Sequence, residues 1–453
     1  MSALAGRLDR LLDRLGLGRP EARAWALYDW ANSAFVTTVT AAVFPIYFSE
    51  VAAAGLPAAQ ATARYGTATT VALAIVAVLA PFLGALADVT ARKKRFLGLF
   101  LGVGVAATAA LFLVREGDWR MGALLFVAGN VGAWGSFVFY DALLPHVAAE
   151  GELDRTATSA FALGYLGGGL LLALNLAWIV QPGWFGMGDA DPTLPSRLAF
   201  VSVALWWALF SIPLFRTIPE PPKKLDPEED PTAAAARLAW DRLAGTFREL
   251  RTYRMAFLML VAFLIYNDGI QTIIRFATIY GTEIGLERNH LIGAILLVQF
   301  VGVPFAFLFG RLADRIGAKR GVLTGLAVYV GISLLGWRMS TIVHFYALAV
   351  LVAVVQGGTQ ALSKSLFASM VPDHKSGEFF GFFGVMEKFA GIFGPALFTA
   401  AVALTGSSRN AILVVALLFV VGAALLWRVD VEEGRRVARE EEERARRAAE
   451  AAS

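Results

Sequence analysis

The residues of this 453-residue chain that could do chemistry are a few ionisable and amide side chains set inside long apolar runs. Residues 255–280 hold Tyr266, Asn267, Asp268, Gln271 and Arg275 in an otherwise apolar segment. In a helix Gln271 stands about one turn from both Asn267 and Asp268, and Arg275 one turn further, so the set forms a polar stripe. A charged group at the centre of a bilayer costs at least about 2.5–3.5 kcal/mol on insertion scales, which makes such a residue functional by default. Burial favours the neutral form of a carboxyl group, as a proton carrier requires. Asp268 is therefore the first candidate for proton coupling, and Arg275 for holding an anionic group of a solute or tuning Asp268. The competing reading is a structural polar cluster satisfied by neighbouring helices.

Glu387 is the second acid candidate. Its neighbour Lys388 is directed about 100° away on a helix, so each needs its own partner, and a structural ion-pair network fits as well as transport. Asp29 is the third acid, with Asn32 and Ser33 nearby. It stands only about one turn from the end of its run, so snorkelling to water competes with a coupling role. Asn32, Asn130, Gln299, Gln356 and Gln360 are uncharged candidates for bonds to a solute, although such residues commonly glue helices together.

Other chemistries lack their parts. Cysteine is absent and only four histidines occur, so thiolate sites are excluded and no metal-ligand spacing appears. No nucleophile elbow or phosphate loop is present, so neither an enzyme nor a cofactor is expected. A transport-dead receptor or scaffold predicts a cavity without titratable groups, against Asp268 and Arg275. The net charge of +4 reflects basic loops beside membrane spans rather than a nucleic-acid partner.

The positioning elements follow from composition. Hydrophobic residues make up 57% and charged residues 17%, with a mean hydropathy of +0.61; a soluble domain carries about 25% charged residues. A membrane span needs about 20 mostly apolar residues. Twelve such runs lie near 25–48, 66–87, 96–114, 121–143, 158–180, 198–217, 255–280, 291–312, 321–338, 342–364, 378–404 and 409–428. The expected domains are an amphipathic segment 1–24 on the membrane surface, not a cleaved signal; a six-helix bundle 25–217; a linker 218–253 with a surface helix; a second bundle 254–428; and a charged tail 429–453, read as a solvated helix or a partner-binding element. Lys and Arg favour the N-terminal side of the membrane by about four to one, which places both termini in the cytoplasm.

The halves repeat. GALADVTARKKRFL at 84–97 and GRLADRIGAKRGVL at 310–323 lie 226 positions apart, each between the second and third span of its half. Pro145, Gly164 and Gly167 match Pro372, Gly391 and Gly394 at an offset of 227. Two copies of six spans keep the same orientation, the parallel repeat of major facilitator transporters, whose site lies near the midplane between halves. The glycines fit close backbone contact within the fifth and eleventh spans.

The two loops resemble the major facilitator loop signature. That resemblance implies a gating latch at Gly84, Asp88, Arg92, Gly310, Asp314, Arg315 and Lys319, with Asp141 joining an Asp88–Arg92–Asp141 relay. Val89 and Ala91 depart from the usual Arg and Gly, which implies a weaker first latch. AWALYDWANSAFVTTVTAAVFPIYF at 24–48, FYDALLP at 139–145, FALGYLGGGLLL at 161–172 and EFFGFFGVMEKFAGIFGPALF at 378–398 are similar to the vacuole effluxer branch of the superfamily. The resemblance implies an all-α, twelve-helix fold of two six-helix bundles related by pseudo-twofold symmetry. It also implies export of a small solute, with amino acids the best class; the buried acids, Asp268 first, add the expectation of proton coupling, and sugars or drugs are the alternative solutes. The expected setting is a monomer in the lipid bilayer of the cytoplasmic membrane.

Overall fold

The computed structural model describes residues 12–90, 92–148, 152–187, 191–221, 235–372 and 391–452, with Phe379, Phe382, Phe383 and Met386. The described residues are almost wholly helical, because backbone polar groups inside a membrane must be bonded within their own segment. The first half holds α1 (Pro20–Ala52), α2 (Ala58–Thr90), α3 (Lys93–Ala110), α4 (Trp119–Asp141), α5 (Leu153–Val180) and α6 (Leu194–Thr217). After a linker helix, Ala235–Leu250, come α7 (Arg254–Glu283), α8 (Arg288–Ile316), α9 (Ala318–Trp337), α10 (Ile342–Ala368), α11 (Phe393–Thr405) and α12 (Ser408–Trp427). A tail helix spans Val431–Ala452. Among the described residues ten helices are long and apolar enough to cross a membrane; α8 and α11 complete the twelve.

Contacts divide the chain into two compact units. One is Met1–Ala236 with Arg275–Phe300; the other is Arg237–Ile274 with Val301–Ser453. In the first, α1 packs on α5 and α6, α3 on α4 and α6, and α2 on α4; in the second, α9 packs on α10 and α12, and α11 on α12. Apolar side chains on the outside, such as Leu99, Leu205 and Leu404, face hydrocarbon. Trp184 and Trp427 stand exposed beyond or at span ends, where indoles suit the membrane–water boundary.

Several elements differ from expectation. α2 begins at Ala58 rather than near 66 because nothing in 58–66 breaks a helix. Residues 1–11 lie outside the described residues. The next stretch packs on α5: Thr156 Oγ1 donates to Gly16 O (2.9 Å) and Ser159 Oγ to Leu15 O (2.8 Å). The tail helix is not wholly solvated. Gly434 and Ala438 are buried, Gly434 lies against Met370, and Arg435 Nε donates to Ser369 Oγ (3.3 Å). α1 is the least regular span, wound as π-helix over Phe35–Ala42 and Phe48–Ala52. Wide turns of this kind occur often at functional sites.

Cations tie the third and sixth helices of each half at both ends. At the end bearing the loop motifs, Lys94 Nζ donates to Phe215 O (2.9 Å) and Ile218 O. Lys319 Nζ likewise donates to Trp427 O (2.9 Å) and Val429 O (2.8 Å). At the opposite end, Arg197 Nη1 donates to Phe112 O (3.1 Å), and Arg409 Nη2 to Met339 O (3.0 Å). A positive group suits a helix C-terminus, where carbonyls lack partners and the dipole is negative.

Candidate functional site

Asp268 is 2% exposed and its Oδ2 accepts the backbone N–H of Gly394 at 2.6 Å. The local reason is the start of α11. Gly391 and Ile392 form a turn, α11 begins at Phe393, and Gly394 in the first turn has an N–H with no intrahelical acceptor. The carboxylate thus meets the positive end of a helix through a short, charge-assisted bond. Glycine fits here, since a Cβ at 394 would stand closest to Thr272 Oγ1, then 2.8 Å from Asp268 Oδ1 and 2.9 Å from Asp268 O. Beside it, Asn267 Oδ1 accepts from Gln360 Nε2 of α10 (3.1 Å). Two residues before Asp268, Tyr266 Oη and Ser363 Oγ share a short hydrogen bond.

The expected stripe on α7 is divided between partners. Asn267 and Asp268 contact α10 and α11, whereas Arg275 contacts α2 and α4. The Arg275 side chain is 3% exposed, and its guanidinium carbon stands 5.1 Å from the centroid of the Trp134 ring, a favourable cation–π placement. Tyr65 Oη reaches both Thr40 O (3.0 Å) and Arg275 O (3.4 Å). Thr278 Oγ1 donates to Ala41 O (2.7 Å), and Thr62 Oγ1 to Glu283 Oε2 (3.0 Å). The two carbonyls at 40 and 41 belong to the first π-wound stretch of α1, so its wide turns serve side chains of α2 and α7. Gln271 is half-buried.

In the first half, Asp29 is half-buried and faces Gly164 of α5: a Cβ there would stand 2.6 Å from Ser33 Oγ and 3.1 Å from Asp29 Oδ2. Gly167 and Gly168 lie as close to the backbone of Trp30 and Ser33, which is the close contact expected of these glycines. Tyr28 Oη donates to Ser136 Oγ of α4 (2.7 Å). Asn32 is buried on the same helix.

Other candidates take structural partners. Gln299 Nε2 donates to Thr37 Oγ1 (3.0 Å), and Asn130 Nδ2 to Phe126 O of its own helix (2.9 Å). Gln356 is half-buried on α10. Glu387 and Lys388 lie outside the described residues. Gly84 and Asp88 fall on α2, and Gly310 and Asp314 on α8, with side chains outside the description. Arg92 and Arg315 are exposed at helix ends, as is Asp141. Lys319, placed by the sequence in the gating loop, is a helix cap within its own half.

Trp134, Tyr65 and the two Tyr–Ser pairs were missed in the sequence. One signal was present: Ser136 and Ser363 stand 227 positions apart, the offset of the glycine repeat. Phe112 and Met339, whose carbonyls receive the arginines, share it. In the loop before α6, Asp191 pairs with Arg115 (3.0 Å) and with buried Arg197. The Thr193 hydroxyl and backbone N–H, with both arginines, hold its carboxyl below the usual value of 3.8.

Comparison with known proteins agrees with this architecture. The family described as vacuole effluxer Atg22 like matches residues 18–439. The uncharacterized MFS-type transporter YxiO of Bacillus subtilis is 37% identical over 410 residues, covering 89% of this chain and 93% of that protein. Autophagy-related protein 22 of Yarrowia lipolytica is 28% identical over 63% of this chain, which spans about half (51%) of that longer protein. Among solved structures, a D-xylose-proton symporter superposes with a TM-score of 0.63 at 14% identity, over 91% of this chain and 98% of that one. The inward-open xylose transporter XylE from E. coli gives 0.62 at 15%, over 92% and 98%. The helical architecture in two repeated sets fits these relatives, and the chain belongs to the vacuole effluxer Atg22-like family of major facilitator transporters.

Proposed function

We propose that this transporter exports an amino acid or related small metabolite across the cytoplasmic membrane, exchanged for protons by alternating access. It acts as a monomer with both termini in the cytoplasm. The observation that carries the reading is the bond from Gly394 N–H to buried Asp268. Protonating this carboxyl removes the charge that holds the first turn of α11, so proton uptake is exchanged for a helix contact. Support for the substrate class comes from the Arg275 surroundings. Among the described residues nothing bonds the Trp134 indole N–H or the Asn130 amide oxygen, both buried and one turn apart on α4. An indole donor beside a guanidinium suits a carboxylate, and an amide oxygen suits an ammonium group.

The test is uptake and exchange in proteoliposomes, screened over amino acids, sugars and nucleosides with and without an imposed proton gradient. Asp268→Asn is expected to abolish gradient-driven accumulation and keep solute exchange. Arg275→Lys weakens apparent affinity, because a point charge does not replace a planar two-pronged donor. Accumulation by Asp268→Asn with unchanged pH dependence removes Asp268 from coupling; transport confined to sugars or nucleosides overturns the substrate class. Because the chain has no cysteine, a single one at Ala318 reports sidedness, and labelling from outside intact cells would reverse the topology.

A further inference from the structure

The α3/α6 pair carries a feature that lies outside the candidate site described above. Gly98, Gly102 and Val105 of α3 and Ala208, Ile212 and Phe215 of α6 line a groove of about 320 Å³. Its flanks are exposed apolar side chains, Leu99 at 61% and Leu209 at 60%, so this face meets hydrocarbon. Ser211, the polar residue of the lining, already donates to Trp207 O (2.6 Å). The groove therefore asks for an apolar occupant.

Length and charge choose among occupants. At 1.5 Å per residue, the stretch from Arg95 to Val105 is about 15 Å, half of the roughly 30 Å hydrocarbon thickness. The groove thus lies within one leaflet. Arg95, Gly98, Gly102 and Val105 fall at steps of three and four along α3, so the arginine heads the stripe that lines the groove. Arg216 stands beside Phe215, one turn past Ile212, and both arginines are exposed. Lys94 pins the two helix ends together through Phe215 O and Ile218 O. One acid at this end, Glu220, accepts the Lys94 backbone N–H (3.0 Å). The glycine spacing also suits pairing with a second copy, but a symmetric pair across this face would bring like arginines together.

We propose that this groove binds one acyl chain of an anionic phospholipid whose phosphate is held by Arg95 and Arg216. Basic residues at a membrane surface recognise anionic lipids in this way. The inference stands apart from solute, coupling and direction of transport.

Native mass spectrometry and thermal unfolding of the full-length protein, relipidated with phosphatidylglycerol or phosphatidylcholine, test it. Wild type is expected to retain one phosphatidylglycerol in preference to phosphatidylcholine. Arg95→Gln with Arg216→Gln lowers that preference by about fivefold per charge. Gly102→Leu, at a position with nothing within 4 Å of a Cβ, fills the groove, abolishes retention and leaves the unfolding temperature in phosphatidylcholine unchanged. Equal retention of both lipids, or full retention by either variant, overturns the proposal. So does a dimer that Gly102→Leu dissociates, which would make the occupant a second copy. Transport is not the readout, so failure here leaves the proposed function untouched.

Discussion

In α1, Tyr28 bonds Ser136 of α4 one residue before Asp29; in α7, Tyr266 bonds Ser363 of α10 two residues before Asp268. Each acid then faces a glycine of the fifth helix of its half, Gly164 or Gly394. The contact is shared but its chemistry is not. Gly164 lies inside the continuous helix Leu153–Val180, where a backbone N–H is already used by the carbonyl four residues earlier. Gly394 lies in the first turn of α11 and its N–H is free to bond Asp268. Where a helix begins, rather than which residues touch, separates a packed acid from one that is bonded to backbone.

The largest expected effect breaks this contrast directly. Gly394→Ala brings its Cβ against the Thr272 hydroxyl and, behind it, to 2.9 Å from the fixed carbonyl of Asp268, so turning the hydroxyl away does not relieve it and it is expected to lose about 3 kcal/mol, the upper range for overpacking. Gly164→Ala meets the rotatable Ser33 hydroxyl first, costs about 1 kcal/mol, and is relieved by adding Ser33→Ala. Equal losses in denaturant unfolding would erase the distinction. Next is the Asp191 clasp, which among the described residues is added to the arginine cap in the first half alone. Asp191→Asn leaves Arg197 short of a charged partner and lowers stability at pH 7 by about 2 kcal/mol. The folded carboxyl titrates below 3.8, so its contribution is present above that pH and is lost as pH falls through the folded value. The gap in melting temperature between wild type and variant therefore closes below about pH 4; a gap constant with pH contradicts the pairing. Smaller still, Tyr28→Phe and Tyr266→Phe should cost about 1 kcal/mol each, and unequal costs mean that the Tyr–Ser strut has diverged as the acids have. The smallest effect is expected from Lys94→Ala and Lys319→Ala, about 0.5–1 kcal/mol each at low salt, with ionic-strength dependence as the check.

Span number, the repeat and the polar α7 segment were legible because hydrophobic length and glycine position survive without knowledge of neighbours. The partners were not. Asn267 and Gln360 were separate candidates, and nothing in their spacing pairs them. Tyr28 and Tyr266 sit at different distances from their acids, which hides a strut that the 227-residue offset of the serines preserves. Lys94 looks like one more basic loop residue until the end of α6 is beside it. Winding of Phe35–Ala42 was also silent, since FVTTVTAA reads as an ordinary apolar stretch whichever hydrogen-bond step it adopts.

That winding has a mechanical meaning. A residue added to a regular helix rotates everything beyond it by 100° and advances it by 1.5 Å. α1 absorbs such phase differences in its wide turns while Tyr65 and Thr278 hold the carbonyls of Thr40 and Ala41. Returning one wide turn to ordinary winding would twist the Asp29 end against those anchored carbonyls.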